Sequence, residues 1–158
     1  MMSEAGVFLE TNLYQGSKEY YGTPRDEVER IMQAGKIPIL EIDVNGKRQI
    51  ERIANQSGFN IHSIFIVALP DTIYRRLIER GEPRGNIIDR LTASHDEVAV
   101  ASGYDSFIIN KDLEEALKEL KAAIAGSNSG RGPDVSKYQK ELVTLLQSVK
   151  EGADESSE

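Results

Sequence analysis

The sequence predicts an α/β domain built on a parallel sheet. Three runs rich in aliphatic and β-branched residues, Ile37-Pro38-Ile39-Leu40-Glu41-Ile42-Asp43-Val44, Ile64-Phe65-Ile66-Val67-Ala68-Leu69 and Ser106-Phe107-Ile108-Ile109, have the length and near-continuous apolarity of strands covered on both faces. Helical periodicity fills the stretches between them, and alternation of this kind produces parallel pairing. Asp43, Asp71 and Asn110 stand at or just past the carboxyl ends of these strands, where ligands of parallel sheets gather.

In chain order, Val7-Phe8-Leu9 and Tyr20-Tyr21 are two short strand pieces separated by the turn-prone run Tyr14-Gln15-Gly16-Ser17-Lys18-Glu19, which together predict a small hairpin-like lobe. Thr23-Pro24-Arg25-Asp26 offers a hydroxyl cap, a proline at the first helical position and an acid three residues after the cap. A helix over 24–34 follows, with Val28, Ile31 and Met32 on one face and Gly35 as the stop. Pro38 is tolerable near the start of the first long strand. The next helix carries Ile50 and Ile53 and ends at Gly58. Asp112 and Glu115 have capping-box spacing ahead of a buried stripe of Leu113, Ala116, Leu117, Leu120 and Ile124. Residues 127–133 are a linker by composition. Beyond them an amphipathic helix over 134–150 carries Val135, Tyr138, Leu142, Leu145 and Val149, and an acidic tail covers 151–158. That helix fits packing on its own domain, binding to a partner, or a fraying tail.

A length of 158 residues suits one domain, here over 1–126, with an appended element. Against 19 Lys and Arg stand 26 Asp and Glu, for a formal net charge of −7. A general nucleic-acid clamp needs the opposite sign, so nucleic acid is not an expected partner. No apolar run reaches the ~20 residues of a membrane span and no signal-peptide pattern opens the chain, so a cytoplasmic protein is expected. Zero cysteines exclude a disulfide frame and thiol catalysis, and two isolated histidines leave no metal site to assign.

Two constellations carry candidate chemistry. Arg75, Arg76, Arg80, Arg84 and Arg90 are half of the chain's arginines, gathered in one short stretch around the loop-like Arg80-Gly81-Glu82-Pro83-Arg84-Gly85-Asn86. Guanidinium forks offer paired donors to phosphate oxygens, and a closing loop bearing several of them suits phosphoryl transfer. The bland alternative is a solvated helix face with internal ion pairs such as Arg76 with Glu79. The second constellation is acidic: Glu10, Glu41 and Asp43, the last two sharing one side of their strand. These acids suit a reader of base N–H donors or an outer-sphere magnesium ligand, and equally a pair at a solvated strand end or bonded to nearby amides.

Phe8-Leu9-Glu10, Tyr21-Gly22-Thr23-Pro24, Ile39-Leu40-Glu41-Ile42-Asp43-Val44-Asn45-Gly46, Arg76-Leu77 with Arg80-Gly81, Arg90-Leu91, and Tyr104-Asp105 with Ile109-Asn110 resemble, in order, the landmarks of the guanylate kinase family. The resemblance runs from about residue 1 to 124. It implies the P-loop nucleoside-monophosphate-kinase fold, a parallel sheet with a small GMP-binding lobe at about 1–35 and a lid at about 80–88. It also implies the activity, ATP-dependent phosphorylation of GMP to GDP in purine nucleotide metabolism. By likeness, Glu10 accepts hydrogen bonds from the guanine edge, which adenine cannot donate. Thr23 and Asp43 match further base-reading positions and Tyr21 a tyrosine on the GMP phosphate. Glu41 matches an acid close to the magnesium and phosphate region. Arg80 and Arg90 resemble the lid and core arginines that stabilise the transferring group, while Arg76 and Asn110 match the ATP side, Asn110 bordering the adenine. The implied cofactor is magnesium carried with ATP.

One family landmark is missing: no G-x-x-x-x-G-K-[ST] string occurs in the 158 residues. In the family that phosphate loop follows a central strand, with the strand like 37–44 on one side and that like 64–69 on the other. Its absence predicts two open strand edges, an incomplete and inactive chain, and room for a separate chain that supplies the strand. Against this kinase reading stand a non-catalytic guanylate-kinase-like interaction module and some other phosphate-handling α/β domain.

Overall fold

The computed structural model describes residues 6–13, 20–126 and 134–151. Contacts divide the chain into two compact units, Met1–Ile61 and His62–Glu158.

In the first unit, β1 (Phe8–Leu13) and β2 (Tyr20–Pro24) form an antiparallel pair with Glu10 opposite Thr23, Thr11 opposite Gly22 and Asn12 opposite Tyr21. The expected turn lies outside the described residues. Gly22 is required by the approach of the two strands, because a Cβ there would sit 2.4 Å from the Glu10 carbonyl oxygen. Helix α1 (Arg25–Gln33) follows, with Asp26 and Glu27 complementing the dipole in its first turn and Gly35 leaving it at φ +69°. Its cap differs from expectation. Pro24 takes the N-cap position with no side-chain bond to the helix, and the Thr23 hydroxyl is engaged elsewhere.

A larger difference concerns the run 37–44. Residues 36–43 form no ladder with any described strand, and Ile37 and Ile39 are 77% and 74% exposed. The run is apolar enough for a buried strand, but a strand exists only through its neighbours, and no described segment supplies one. It ends where Asp43 caps α2 (Val44–Ser57), accepting from the backbone N–H groups of Asn45 at 3.0 Å and Gly46 at 2.8 Å. Gly58, at φ +71°, closes α2 with a left-handed cap. Gln49 ties α2 to the hairpin: its side-chain carbonyl accepts from Thr11 N–H at 3.2 Å and its amide donates to Thr11 C=O at 3.0 Å.

The second unit holds the parallel pair β3 (Ile64–Val67) and β4 (Ser106–Ile109), with Ile64 opposite Ser106 and Val67 opposite Ile109. The expected alternation of strand and helix is present here, with two parallel strands rather than three. Phe65 stacks on Phe107 and meets Tyr104 edge-on, at centroid separations of 5.3 and 5.0 Å. Helices α3 (Pro70–Glu79) and α4 (Arg84–Ala99) lie between the strands in sequence, α5 (Leu113–Ile124) follows β4, and α6 (Val135–Glu151) closes the described chain. Asp112 caps α5 through Glu114 and Glu115 N–H, as its spacing predicts.

The expected buried stripe on α5 is largely in water. Ala116 and Ala123 are buried, whereas Leu113 is 74% exposed and Leu117 and Ile124 are exposed too. The helix rests on β4 through its small residues, and two strands are too narrow a platform to cover the long ones.

Helix α6 packs on α4 and α3, burying Tyr138, Leu142 and Val149. Two polar ties fix it: the Tyr138 hydroxyl donates to the Ala68 carbonyl, and the Arg84 guanidinium donates to the Val149 carbonyl. Burial, and secondarily the charge of Glu141, push the Tyr138 hydroxyl well above its ordinary pKa.

Leu142 is fully buried, so Leu142→Ala is expected to cost about 2–5 kcal/mol in chemical denaturation, while Leu113→Ala stays within about 0.5 kcal/mol. The raised folded-state pKa of Tyr138 sets a second expectation. Its stabilising effect is complete below the unfolded value of 10.0 and is lost as pH rises above it, so denaturation midpoints fall as pH is raised beyond 10.0, and Tyr138→Phe flattens that slope.

Candidate functional site

The first unit gathers one set of the predicted residues. Glu10, on β1, is 3% exposed, and its Oε1 accepts from the Thr23 hydroxyl at 2.7 Å across the hairpin. Its Oε2 has no hydrogen-bond partner among the described residues. Asp43 reaches the same spot from the start of α2: a Cβ placed on Gly46 would lie 3.1 Å from Glu10 Oε2 and 3.5 Å from Asp43 Oδ1. Two carboxylates therefore converge on the bare backbone of the first turn of α2, where the helix dipole offsets part of their mutual repulsion. The Thr23 hydroxyl satisfies one oxygen of this carboxylate, and Oε2 is available to a donor that enters beside the head of α2. Chemically, the two carboxylates present acceptors that suit a group carrying N–H donors.

Asp43 also meets the structural alternative raised from sequence, since it is bonded to nearby amides. Both oxygens are used: Oδ1 by Asn45 and Gly46, Oδ2 by the Asn12 side-chain amide. Tyr21 lies on β2 opposite Asn12 and is half exposed, which leaves its hydroxyl in reach of an incoming anion. Glu41 is exposed within the unpaired run and makes no hydrogen bond or ion pair among the described residues. The paired strand positions expected of Glu41 and Asp43 are absent, because that strand is not formed.

Sequence reasoning missed Asn12 and Gly46. Both had a signal: Asn12 follows Glu10 by the two-residue period of a strand, and Gly46 follows Asp43 by the three residues that separate a cap from the amide it binds.

The second unit holds the arginines. Arg76 lies in the last turn of α3, Arg80 is its C-cap, and Arg90 is exposed on α4. None of the three has a carboxylate within ion-pair distance among the described residues. The pair observed is Arg75 with Glu79 at 4.0 Å, not the Arg76 with Glu79 pair suggested by spacing. The expected loop is short: Gly81, at φ +70°, and Pro83 turn the chain, and Arg84, Gly85 and Asn86 already belong to α4. Asn110 follows β4, its backbone N–H donating to Val67 C=O at 2.7 Å, while its side-chain Oδ1 is buried with no partner among the described residues. A cleft of about 300 Å3 between α3, the start of α4 and the end of α6 is lined by Tyr74, Ile78, Glu82, Arg84, Ile87, Ser148 and Val149, and includes none of the three free arginines. Among the described residues no three acids or histidines cluster to hold a metal ion.

A buried acid that awaits N–H donors and arginines without carboxylate partners are parts expected of a nucleotide-handling protein. Comparison with known proteins defines which kind. The family model described as guanylate kinase matches residues 1–127. The chain is 33% identical over 148 residues to a guanylate kinase of Shouchella clausii, covering 91% of this chain and 68% of the relative. It is 33% identical over 131 residues to a guanylate kinase of Bacillus cereus, covering 80% and 60%, and 28% identical over 147 residues to one of Clostridioides difficile, covering 90% and 65%. The chain belongs to the guanylate kinase family, a family of nucleoside monophosphate kinases. It spans about 60–68% of the length of these relatives.

Two substitutions test the geometry of the acid site. Thr23→Val removes the one hydrogen bond of a buried carboxylate and is expected to lower stability by about 1–3 kcal/mol in urea denaturation. Gly22→Ala forces β1 and β2 apart at the same place and should cost about as much, with loss of near-ultraviolet dichroism from Tyr20 and Tyr21.

Proposed function

We propose that this chain is the GMP-recognising and arginine-bearing portion of a guanylate kinase, the enzyme that transfers the γ-phosphoryl group of ATP to GMP. The observation that carries the proposal is Glu10: a carboxylate 3% exposed, with one oxygen held by Thr23 and the other unbonded by any described residue, beside the cap of α2. Guanine offers N1–H and an exocyclic amine on one edge, the donors this acid lacks. Adenine presents an acceptor at its N1, so AMP leaves the acid unsatisfied. Tyr21 then takes the GMP phosphate. Arg80 and Arg90 neutralise charge on the migrating phosphoryl group, Arg76 holds the donor phosphates, and Asn110 borders the adenine of ATP. Family membership and the absence of carboxylate partners on the three arginines support these roles. The exposed Glu41 contributes negative charge near the phosphate region.

Magnesium, in this proposal, arrives with ATP and is held by phosphate oxygens and water. The described residues offer no ligand set of their own, so no step is assigned to it. No described helix is long and apolar enough to cross a membrane. A cytoplasmic reaction drawing on dissolved nucleotides is the setting proposed.

The 158 residues contain no phosphate-cradling G-x-x-x-x-G-K-[ST] string, so by themselves they are proposed to bind GMP without turning it over. β3 has one described neighbour, β4, and we propose that a strand from outside these residues completes its sheet. The protein-interaction reading predicts instead that no nucleotide binds.

Calorimetry decides between them. The purified chain is expected to bind GMP in the micromolar range and AMP at least 100-fold more weakly, and Glu10→Gln, which presents a donor amide to guanine's donors, weakens GMP about 10- to 100-fold. No GDP should form from GMP and ATP. Equal affinity for GMP and AMP would sink the assignment of Glu10, and GDP formation by this chain alone would sink the proposed dependence on an added strand.

A further inference from the structure

We propose that Asn12 is a positioning residue for guanine recognition, acting through Asp43. The inference rests on the GMP reading of the acid site. Residues 10 and 12 of β1 point to the same face of the hairpin, so Asn12 sits one strand period beyond Glu10 and opposite Tyr21. Its carboxamide is held at both ends. Oδ1 accepts from the Leu13 N–H at 2.9 Å, which orients the amide, and Nδ2 donates to Asp43 Oδ2.

The lone pairs of Asp43 show what that bond accomplishes. Each carboxylate oxygen accepts about two hydrogen bonds. Oδ1 is filled by the Asn45 and Gly46 amides, which leaves Oδ2 as the oxygen that can meet a base. Without Asn12, Oδ2 would have solvent alone as its partner. With Asn12, one lone pair is taken, the carboxylate plane is locked, and the remaining lone pair has a fixed direction. Glu10 Oε2, the other free acceptor, is fixed by burial and by Thr23. Guanine has three N–H bonds on this edge, so two acceptors in fixed positions read it as a pair. The exocyclic amine is the feature that separates GMP from IMP, whose base lacks it. Fixing the second acceptor in advance removes an ordering cost from binding, and the benefit falls on the ligand that uses both acceptors.

The test measures GMP and IMP binding to the full chain by calorimetry, for the unmodified protein, Asn12→Ala and Asn12→Asp. In Asn12→Ala, GMP affinity is expected to fall about 5- to 20-fold and IMP affinity less than 3-fold, so the GMP to IMP ratio narrows. In Asn12→Asp a second carboxylate faces Asp43. Measured at each pH against the unmodified protein, GMP affinity should then be more than 10-fold lower at pH 8, with the gap closing towards pH 5.5 as the paired acids share a proton. Equal losses for the two nucleotides, with the ratio unchanged, would show that Asn12 only supports the fold and overturn the proposal. GMP binding by both variants as in the unmodified chain would overturn it too, leaving the GMP reading intact. Failure of the unmodified chain to bind GMP would overturn both. Should Asn12→Ala not fold, the same ratio is read from Asn12→Ser.

Discussion

The first unit depends on the cost of keeping one carboxylate out of water. Glu10 is buried on the hairpin, where among the described residues the Thr23 hydroxyl bonds it, and the surrounding sequence is arranged to make that tolerable. The register that sets Glu10 opposite Thr23 supplies the hydroxyl. Gly22 lets the strands close over it, and Gly46 leaves the space at the head of α2 in which its free oxygen lies. Asp43 answers a different requirement, the unsatisfied amides at the start of a helix, and in doing so delivers a second carboxylate to the same point. In the function proposed above, recognition and folding use the same atoms. A ligand bringing N–H donors would supply a partner to an oxygen that no described residue bonds.

The second unit works by the opposite arrangement. Its cations are at the surface, and those proposed to act on phosphate, Arg76, Arg80 and Arg90, have no ion-pair partner among the described residues. Arg75 is drawn into a weak surface pair with Glu79, and Arg84 is tied to the last turn of α6. The five arginines so close in sequence thus separate into free and engaged sets. What holds α3 and α4 in place is apolar: Leu77, Ile87, Leu91 and Val98 form the core on which Leu142 of α6 rests.

Elements with a local cause were legible in the sequence, and those with a distant cause were not. Asp112 and Gly58 announce helix ends through chemistry within four residues, and both ends are where that chemistry puts them. The strands at 64–67 and 106–109 were legible because each supplies a ladder for the other. Residues 36–43 have the composition of a strand and no ladder, since pairing belongs to a partner and not to the run itself. The stripe on α5 failed for the same reason: periodicity shows which side is apolar, not whether anything covers it. In the acid site, Glu10, Thr23 and Asp43 were legible through family likeness. Asn12 and Gly46 carry a spacing signal alone, because their importance lies in a contact across 31 residues and in the room that a missing side chain leaves for a carboxylate.

Gln49 has a consequence for how the hairpin behaves among other molecules. The outward-facing amide and carbonyl of Thr11 are the groups another polypeptide would use to extend β1 into a longer sheet, and a single side chain from α2 occupies both. The lobe carries its own stopper at mid-strand. Fibril-like growth through that border is blocked at its centre by one residue, at no expense in chain length.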